Sequence, residues 1–348
     1  MQGIVVNVRI LRFPTTGVQR YTLELLSRFG DRVERVAPAH NPEGVTGHLW
    51  EQIVLPFKVG KRLLWSPSNT GPLMVKRQVV TIHDISPIDH PEWLNPRFAD
   101  WYRFLIPRLA IRVRGILTVS DFMRQRMLEV LPVPEEKIYR VHLGVDSQIF
   151  SPRSVEEVRA VVGTLGIPSL RYFLYVGSLA PGKNVTNLLR AWAAIAEDVD
   201  DEIWLVLAGS KGKSLVFKDI WLDRLPPRVF FTGHVPTDLL PALYSGAIGF
   251  VFPSLYESFG LPPLEAMSCG AVPVVSNCTA MPEVVGDAGI LVDPKDVESI
   301  AWGIRRLVDD DRLLEELRSK GLERAKQFSW DKSADLTWKV LQEVAEKG

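Results

Sequence analysis

Short apolar runs alternate with amphipathic stretches along nearly the whole chain. Six runs rich in Val, Ile and Leu occupy the first half: GIVVNVRI, RVERVAPA, RLLWSPS, QVVTIHDIS, GILTVS and KIYRVHLG. Six more follow in the second half: RYFLYVGS, EIWLVLAGS, RVFFTGH, IGFVFPS, AVPVVS and GILVDP. Runs of this kind are typical of strands buried on both faces of a parallel sheet. Their alternation with helices predicts an α/β protein.

The segment 146–170 breaks this pattern, because it holds no strand and carries Pro152 and Pro168 around a polar helical stretch. We interpret it as the connection between two doubly wound α/β domains, 1–150 and 151–329. Open parallel sheets bind ligands beyond the carboxyl ends of their strands. Two such sheets predict a cleft where those edges face each other, so candidate site residues are sought just after each strand.

Composition narrows the possible functions. The 41 Lys and Arg balance 41 Asp and Glu over 348 residues, which argues against bulk electrostatic binding of nucleic acid. The two cysteines, Cys269 and Cys278, form no CxxC pair, so neither a disulfide framework nor a cysteine zinc site is expected. The N-terminus lacks a basic segment before its apolar run, and no run approaches the roughly 20 residues of a membrane span. We therefore expect a cytoplasmic protein.

The loop after RYFLYVG suggests a phosphate site. Gly177, Ser178, Gly182 and Lys183 precede a helix expected to start near Asn184. Glycines, a lysine and a helix N-terminus together suit a phosphate. The loop is not a Walker A motif, because Asn184 stands where Ser or Thr is required. The alternative is a surface lysine in a turn.

The stretch YESFGLPPLEA (256–266) places two carboxylates around a glycine and two prolines. Pro262 and Pro263 suit the first turn of a helix, so Glu265 is expected in that turn and Glu257 in the loop. A carboxylate accepts two hydroxyl hydrogen bonds at once, as the vicinal diol of a sugar or ribose requires. The alternative is that Glu265 merely complements the helix dipole.

Two further candidates lie in the first half. His83 follows QVVTI and can donate to an oxygen, take part in proton transfer, or simply bond a neighbouring loop. Gly17 precedes a helix expected near Gln19, where glycine lets the backbone approach a ligand. The GxGxxG fingerprint is absent, which argues against a dehydrogenase.

The segment 97–126 is basic. Two acids, Asp100 and Asp121, oppose seven arginines: Arg97, Arg103, Arg108, Arg112, Arg114, Arg124 and Arg126. Trp101, Tyr102 and Phe104 are interleaved. The segment either docks on an anionic membrane or binds a lipid diphosphate acceptor, or it is a solvated helix face with core aromatics.

Taken together, these motifs resemble the retaining GT-B glycosyltransferases of family 4. PSLYESFGLPPLEAMSCGAVPVVS carries the family's E-x7-E motif as Glu257 and Glu265. YVGSLAPGKN, TGHVP, TIHDISPIDHPEW, TVSDF, HLGVD and MPEVVGDAGILVDP follow the family's order and spacing. The resemblance is to the mannosyltransferase-like branch that builds bacterial polysaccharides and glycolipids. It implies two Rossmann-like domains facing a deep cleft, with the final helix, 330–348, packed on the N-terminal domain.

The resemblance also implies residue roles. Glu265 would bind ribose, Glu257 the donor sugar, and Lys183 the diphosphate, with Gly177 and Ser178 in the same loop. Backbone N–H groups of Phe259, Gly260 and Leu261 would meet sugar and phosphate, and the backbone near Gly233 and Val235 would meet the base. Gly17 would approach the phosphate, and His83 would contact the transferred sugar or acceptor near the reacting centre.

One departure concerns the phosphate loop. Many members carry basic residues where Ser178 and Gly182 stand here, so Lys183 is the one strong cation expected from this loop. Arg12 or Arg20, which flank Gly17, can compensate.

The implied reaction moves a hexose, mannose or similar, from a nucleotide diphosphate sugar such as GDP-mannose to a saccharide or lipid-linked acceptor. The expected route keeps the sugar's configuration by same-face attack, and His83, Lys183 and Glu257 are the candidate catalytic residues. No cofactor and no metal are expected, because DVDD (198–201) and DDD (309–311) lie in polar connectors and Lys183 with helix N-termini can stabilise the leaving group. The alternatives are a nucleotide-sugar epimerase of the same fold and a non-catalytic nucleotide-sugar-binding protein.

Overall fold

The computed structural model of the protein describes residues 3–14, 16–39, 44–209 and 225–347. The chain divides into two compact units. Unit 1 comprises Met1–Gly144 and Trp330–Gly348, and unit 2 comprises Val145–Ser329. The boundary thus lies after residue 144, whereas the sequence analysis placed it after residue 150.

All twelve strands expected from the apolar runs are present. Unit 1 contains β1 Ile4–Asn7, β2 Val33–Val36, β3 Leu63–Ser66, β4 Gln78–Thr81, β5 Gly115–Thr118 and β6 Ile138–Arg140. Unit 2 contains β7 Arg171–Val176, β8 Ile203–Ala208, β9 Val229–Gly233, β10 Gly249–Phe252, β11 Val272–Ser276 and β12 Ile290–Val292. Every pairing between neighbouring strands is parallel.

Helices connect the strands in both units. Those of unit 1 before the linker are α1 Gly17–Phe29, α2 Gly44–Leu49, α3 Leu55–Val59, α4 Ser86–Asp89, α5 Pro96–Arg112 and α6 Asp121–Val130. Unit 2 follows with α7 Val155–Leu165, α8 Val185–Ile195, α9 Leu240–Ser245, α10 Leu261–Ser268, α11 Met281–Val285, α12 Val297–Asp309 and α13 Asp311–Ala325. The last helix, α14 Trp330–Glu346, returns to unit 1.

Shorter helical segments complete the connections. A π-helix, Trp50–Val54, joins α2 to α3. Single 3₁₀ turns lie at Arg9–Arg12, Gly30–Arg32, Pro91–Trp93, Glu135–Lys137 and Pro181–Lys183. Among the described residues, none of the helices combines the length and apolar character that a membrane span requires.

Strand order decides where each unit can bind a ligand. The sheet of unit 2 runs β9-β8-β7-β10-β11-β12, which is the 3-2-1-4-5-6 order of Rossmann-like domains. The order reverses between β7 and β10, so right-handed connections leave on opposite faces of the sheet. The loops after these two strands therefore diverge and open a crevice at the carboxyl ends. In unit 1 the order β2-β1-β3-β4-β5-β6 puts the reversal between β1 and β3.

Unit 1 is completed by its last helix, which packs on α1. The Trp338 ring lies 5.2 Å from that of Phe29, and Trp330 is almost fully buried. Arg28 Nε donates to Asp331 Oδ1 at 2.6 Å. Aromatic packing and one exposed ion pair thus hold α14 against α1, and the packing carries most of the energy because surface pairs contribute little.

Candidate active site

The two loops at the strand reversal of unit 2 meet. The backbone N–H of Leu255, after β10, donates to the carbonyl of Gly182, after β7, at 2.8 Å. Beside this contact Lys183 Nζ donates to Glu257 Oε1 at 2.5 Å. The fold therefore brings together the candidate phosphate lysine and the first carboxylate of the E-x7-E motif, which the sequence separates by 74 positions.

Asn184 fixes the position of Lys183, a role that the sequence analysis missed. It is in the left-handed region, with φ +59°, at the start of α8, and asparagine tolerates this region better than most residues. Its Nδ2 donates to the carbonyls of Pro253, at 2.9 Å, and Pro294, at 2.6 Å. The amide thus links the loops after β7, β10 and β12, and the Lys183 ammonium lies 5.3 Å from the centroid of the Phe252 ring. An asparagine directly after Gly-Lys was the available signal.

Glu257 is nearly buried, with 8% of its surface exposed. Its carbonyl accepts from the N–H of Ala280 at 3.3 Å, which holds its loop against the start of α11. Burial and the nearby Glu257 charge both raise the pKa of the Tyr175 hydroxyl, so Tyr175 stays protonated and donates to the Ser178 carbonyl at 2.7 Å. The loop of Lys183 is thereby tied to the sheet beneath it.

The start of α10 offers few but well-placed N–H donors. Gly260 has φ +103°, and a Cβ there would lie 2.3 Å from Met281 Cε, so this turn requires glycine. Pro262 and Pro263 have no N–H to present, which leaves the N–H of Leu261 as the first-turn donor without an intrahelical acceptor. Phe259 packs edge-on against Phe328, with ring centroids 5.9 Å apart, and fixes the approach to the helix.

The expectation that Glu265 lies in the first turn of this helix is wrong. The helix begins at Leu261, so Glu265 is its fifth residue and gains little from the helix dipole, which acts within the first turn. The carboxylate is buried and accepts from Tyr244 Oη at 3.2 Å. Burial and then the Glu265 charge raise the pKa of the Cys269 thiol. Glu265 therefore does not serve to complement the helix dipole. It is a buried carboxylate that accepts a hydrogen bond from a tyrosine.

Glycine ends or directly follows three neighbouring strands of this sheet, at Gly177, Gly209 and Gly233. The N–H of Gly177 donates to the Ala208 carbonyl at 2.9 Å, and the N–H of Gly209 donates to the Gly233 carbonyl at 2.8 Å. A Cβ on Gly209 would lie 1.9 Å from the Gly177 carbonyl oxygen. The edge beyond β7, β8 and β9 is therefore bare backbone, with Val235 buried beyond it. Sequence reasoning missed Gly209, although a glycine after each of three runs was a readable signal.

Gly17 and His83 belong to unit 1. Gly17 is the first residue of α1, which begins before the expected Gln19.

His83 is buried after β4, its ring 4.7 Å from that of Tyr21. Its Nε2 lies 2.8 Å from the Pro67 carbonyl oxygen, which can only accept, so Nε2 carries the proton. Burial lowers the pKa of the ring, opposed by the Pro67 bond and the Asp84 charge. The neutral ring therefore has Nδ1 as an acceptor, and the suggestion that His83 donates to a ligand oxygen is not supported.

The acidic runs are engaged with arginines. Asp198 pairs with Arg305, Asp200 with Arg171, and Asp201 with Arg228. In the second run Asp310 Oδ1 accepts from the N–H of Leu313 at 2.9 Å at the start of α13. These carboxylates hold surface turns and a helix start.

Comparisons with known proteins identify the family of this chain. A family model described as Glycosyltransferase Family 4 matches residues 66–149, and one described as Glycosyl transferases group 1 matches residues 165–327. O-antigen chain mannosyltransferase B of Escherichia coli is 34% identical to the chain, over 92% of this chain and 94% of its own length. The chain belongs to glycosyltransferase family 4.

Other relatives agree with this assignment. The serotype-specific mannosyltransferase WbdA of Escherichia coli is 28% identical over 75% of this glycosyltransferase and 32% of its own length. The structure of Anabaena HepE, described as a complex with UDP and glucose, matches with a TM-score of 0.76 at 17% identity, over 98% of this chain and 100% of that one. The protein is therefore a glycosyltransferase with the GT-B fold. Relatives named as transferases do not favour the epimerase or the non-catalytic binding protein.

Proposed function

We propose that this glycosyltransferase moves mannose, or a similar hexose, from a nucleotide diphosphate sugar to a saccharide or lipid-linked acceptor, with retention of configuration. The observation that carries the proposal is the Lys183–Glu257 pair at the strand reversal of unit 2, beside the N–H groups at the start of α10. A cation, a carboxylate and free N–H donors are the groups that a sugar diphosphate needs. Mannose is supported by the names of the relatives, which describe mannosyltransferases.

In the proposed reaction the donor replaces the ion pair between Lys183 and Glu257 with contacts to the ligand. The donor diphosphate draws Lys183 away from Glu257, and the freed carboxylate then accepts from hydroxyl groups of the sugar. Charge that develops on the leaving diphosphate is stabilised by Lys183 and the N–H groups of Gly260 and Leu261. Each such donor contributes about 10²–10³-fold in comparable sites. We assign to His83 Nδ1 a hydroxyl of the sugar or acceptor, and to Gly17 the close approach of backbone to the phosphate.

Retention follows, in this proposal, from attack on the face that the diphosphate leaves. The C–O bond to the diphosphate breaks, the bond to the acceptor oxygen forms, and the acceptor proton passes to a leaving phosphate oxygen. In this proposal the freed Glu257 carboxylate accepts from hydroxyl groups of the sugar and does not attack its anomeric carbon. Mass spectrometry of the enzyme quenched with donor should show no covalent glycosyl adduct, and a trapped adduct would contradict this route.

We propose that the reaction needs no metal and no cofactor, because Lys183 supplies the positive charge and the aspartates of 198–201 are engaged with arginines. Activity should survive treatment with EDTA. Loss of activity that a divalent ion restores would overturn the proposal.

Nucleotide binding separates the two carboxylates. We assign the ribose hydroxyls to Glu265, so Glu265→Ala should weaken binding of the bare nucleoside diphosphate. Glu257→Ala should bind it as well as the wild type or more tightly, because Lys183 is released for the phosphate. Isothermal titration with each nucleotide measures both, and equal loss in the two variants would overturn this division.

The nucleotide can be identified by thermal shift with UDP, GDP, ADP and their sugars. A ligand that binds only the folded state raises its melting temperature by mass action. We expect GDP and GDP-mannose to give the largest shifts. A larger shift with a UDP sugar would move the proposal to another donor while leaving the fold of the site unchanged.

We also propose peripheral contact with the inner face of the membrane through residues 97–126. The support lies in α5, which exposes Arg97, Arg103, Arg108 and Arg112 together with Phe98 and Phe104. The end of the segment contributes less, because Arg124 pairs with Glu135 and Arg126 with Asp89. Co-sedimentation with anionic and zwitterionic vesicles tests this contact, and binding to neither would remove it.

A further inference from the structure

The segment 44–59, formed by α2, the π-helix and α3, carries two rows of residues at intervals of four. The buried row consists of Gly47, Glu51, Leu55 and Val59. The exposed row consists of Val45, Leu49, Ile53 and Phe57, with 74%, 52%, 55% and 84% of their surfaces accessible. The solvent-exposed face of the segment is therefore apolar, whereas that of an ordinary surface helix is polar.

Helix geometry keeps the exposed row straight. An interval of four overshoots the 3.6 residues of an α-turn, so such a row would drift around a regular helix. The π-helix Trp50–Val54 holds more residues per turn and offsets this drift. Val45, Leu49, Ile53 and Phe57 thus form one stripe.

The buried row prevents the stripe from rotating inward. Leu55 and Val59 are fully buried in a cluster with Val5 and Leu64 of the sheet. Glu51 is also fully buried, and its Oε1 accepts from Asn7 Nδ2 at 2.8 Å and from Thr70 Oγ1 at 3.0 Å. A carboxylate with these fixed partners locks the rotation of the segment.

The stripe continues onto α5. The His48 ring lies 5.2 Å from the Trp101 ring, and a cavity of about 390 Å³ between the two helices is lined by Val45, Leu49, Phe98 and Trp101 among others. Arg112 Nη1 donates to the Leu73 carbonyl at 3.5 Å, which brings the loop of Met74, 77% exposed, beside the end of α5. One face of unit 1 therefore joins all these apolar side chains.

The charge around this face is mostly positive. The exposed cations in the stretches 44–62, 72–77 and 96–112 are Lys58, Lys61, Lys76, Arg97, Arg103, Arg108 and Arg112, and Asp100 is the exposed acid there. Contiguous exposed apolar side chains often mark a protein or membrane interaction site. Apolar side chains within a ring of cations match the headgroup boundary of an anionic bilayer.

We propose that the apolar row of segment 44–59 inserts into the headgroup region of an anionic membrane. The inference deepens the proposed membrane contact, on which it rests, by naming the element that inserts. In it α5 supplies electrostatic attraction and Val45, Leu49, Ile53 and Phe57 supply the buried apolar surface.

Flotation with vesicles of phosphatidylcholine, with or without phosphatidylglycerol, tests this inference. The variant Ile53→Ser/Phe57→Ser should lose about ten-fold or more in partitioning onto the anionic vesicles, because it removes much of the inserted surface. Val155→Ser/Trp302→Ser is the matched control, since these apolar residues are 59% and 52% exposed but lie in unit 2. It should partition as the wild type does.

The outcomes separate the two proposals. Equal binding of the wild type and Ile53→Ser/Phe57→Ser overturns insertion but leaves the contact through α5. Absence of wild-type binding to either vesicle overturns both. Circular dichroism and the nucleotide-induced thermal shift verify that the variants are folded, which is expected because both side chains are exposed.

Discussion

The two units differ at the same topological position. Each places a buried carboxylate where the strand order reverses: Glu257 beside β10 in unit 2, and Glu51 beside β1 and β3 in unit 1. Glu257 has the flexible cation Lys183 as its partner. Glu51 is held by Asn7, at the end of β1, and Thr70, after β3, with Arg9 Nη2 3.7 Å away. The carboxylate thus has a partly exposed lysine as its partner in unit 2 and buried neutral donors in unit 1.

The two units share a fold but differ in the groups that hold the carboxylate at the strand reversal. In the proposed reaction a ligand phosphate displaces Glu257 from Lys183, whose side chain is 27% exposed. Neutral donors fixed at strand ends cannot leave Glu51 without breaking the sheet edge. At the reversal of unit 1, segment 44–59 contributes a carboxylate bonded to Asn7 and Thr70, whereas that of unit 2 is paired with Lys183. The carboxylate's partners, more than the strand order, indicate which reversal carries chemistry.

The largest effect is expected on turnover. Glu257→Gln keeps the shape of the side chain but loses its negative charge. In the proposed reaction that charge stabilises the positive charge that develops on the sugar in the oxocarbenium-like transition state. We expect kcat to fall by about 10²–10³-fold in a donor-consumption assay. The matched Glu51→Gln, assayed well below its melting temperature, should keep kcat within a few-fold. A larger loss of kcat in Glu51→Gln than in Glu257→Gln would reverse the comparison.

Stability should show the opposite ranking. Glu51→Ala leaves Arg9 and the Asn7 amide buried without their carboxylate partner, which lowers the unfolding free energy by about 3 kcal/mol or more. Glu257→Ala leaves a lysine that water can reach, so we expect a loss of about 1 kcal/mol or less. Urea denaturation of both variants measures this. Glu34→Ala, which removes an exposed pair with Arg62, is the control and should be nearly neutral. Equal losses for Glu51 and Glu257 would show that both carboxylates are structural.

Much of the fold could be predicted from the sequence, because strands buried on both faces leave continuous apolar runs. All twelve were found in this way. The role of Glu51 could not be predicted, since an acid within HLWEQIVLPF becomes tolerable only through Asn7, 44 positions away. Contacts of that range depend on strand order, which local patterns do not encode.

The candidate site was predicted in its members but not in its geometry. The E-x7-E spacing identified Glu257 and Glu265, and Gly-Lys identified Lys183. Pro262 and Pro263 are compatible with several positions of the first turn, so the helix start at Leu261 and the second-turn position of Glu265 were not fixed. The contact between Gly209 and Gly177 arises only when β7 and β8 pair, so neither residue alone reveals it.

The bare backbone edge of unit 2 gives the third prediction. Gly209→Ala must push its Cβ against the Gly177 carbonyl and displace the loop that carries Lys183. We expect a loss of about 1–3 kcal/mol in unfolding free energy together with weaker binding of nucleoside diphosphate. Gly163→Ala in α7, where a Cβ meets nothing within 4 Å, is the control and should be neutral or stabilising by about 0.5–1 kcal/mol. Wild-type nucleotide affinity in Gly209→Ala would show that this edge does not position the phosphate loop.

The smallest effect is expected from His83 and concerns the sheet edge of unit 1. Burial holds the pKa of this ring below its ordinary value of 6.5, so the unfolded chain takes up a proton that the native state excludes. Its contribution to stability is therefore present above about pH 6.5 and is lost as the pH falls towards the folded-state pKa. Each unit of pKa difference amounts to about 1.4 kcal/mol. His83→Gln should flatten the decline of unfolding free energy between about pH 7.5 and 5, whereas His234→Gln, at an exposed position, should not. An unchanged slope in His83→Gln would mean that the native state does not lower the pKa of this ring, and His83 would then not be a group held neutral at the sheet edge of unit 1.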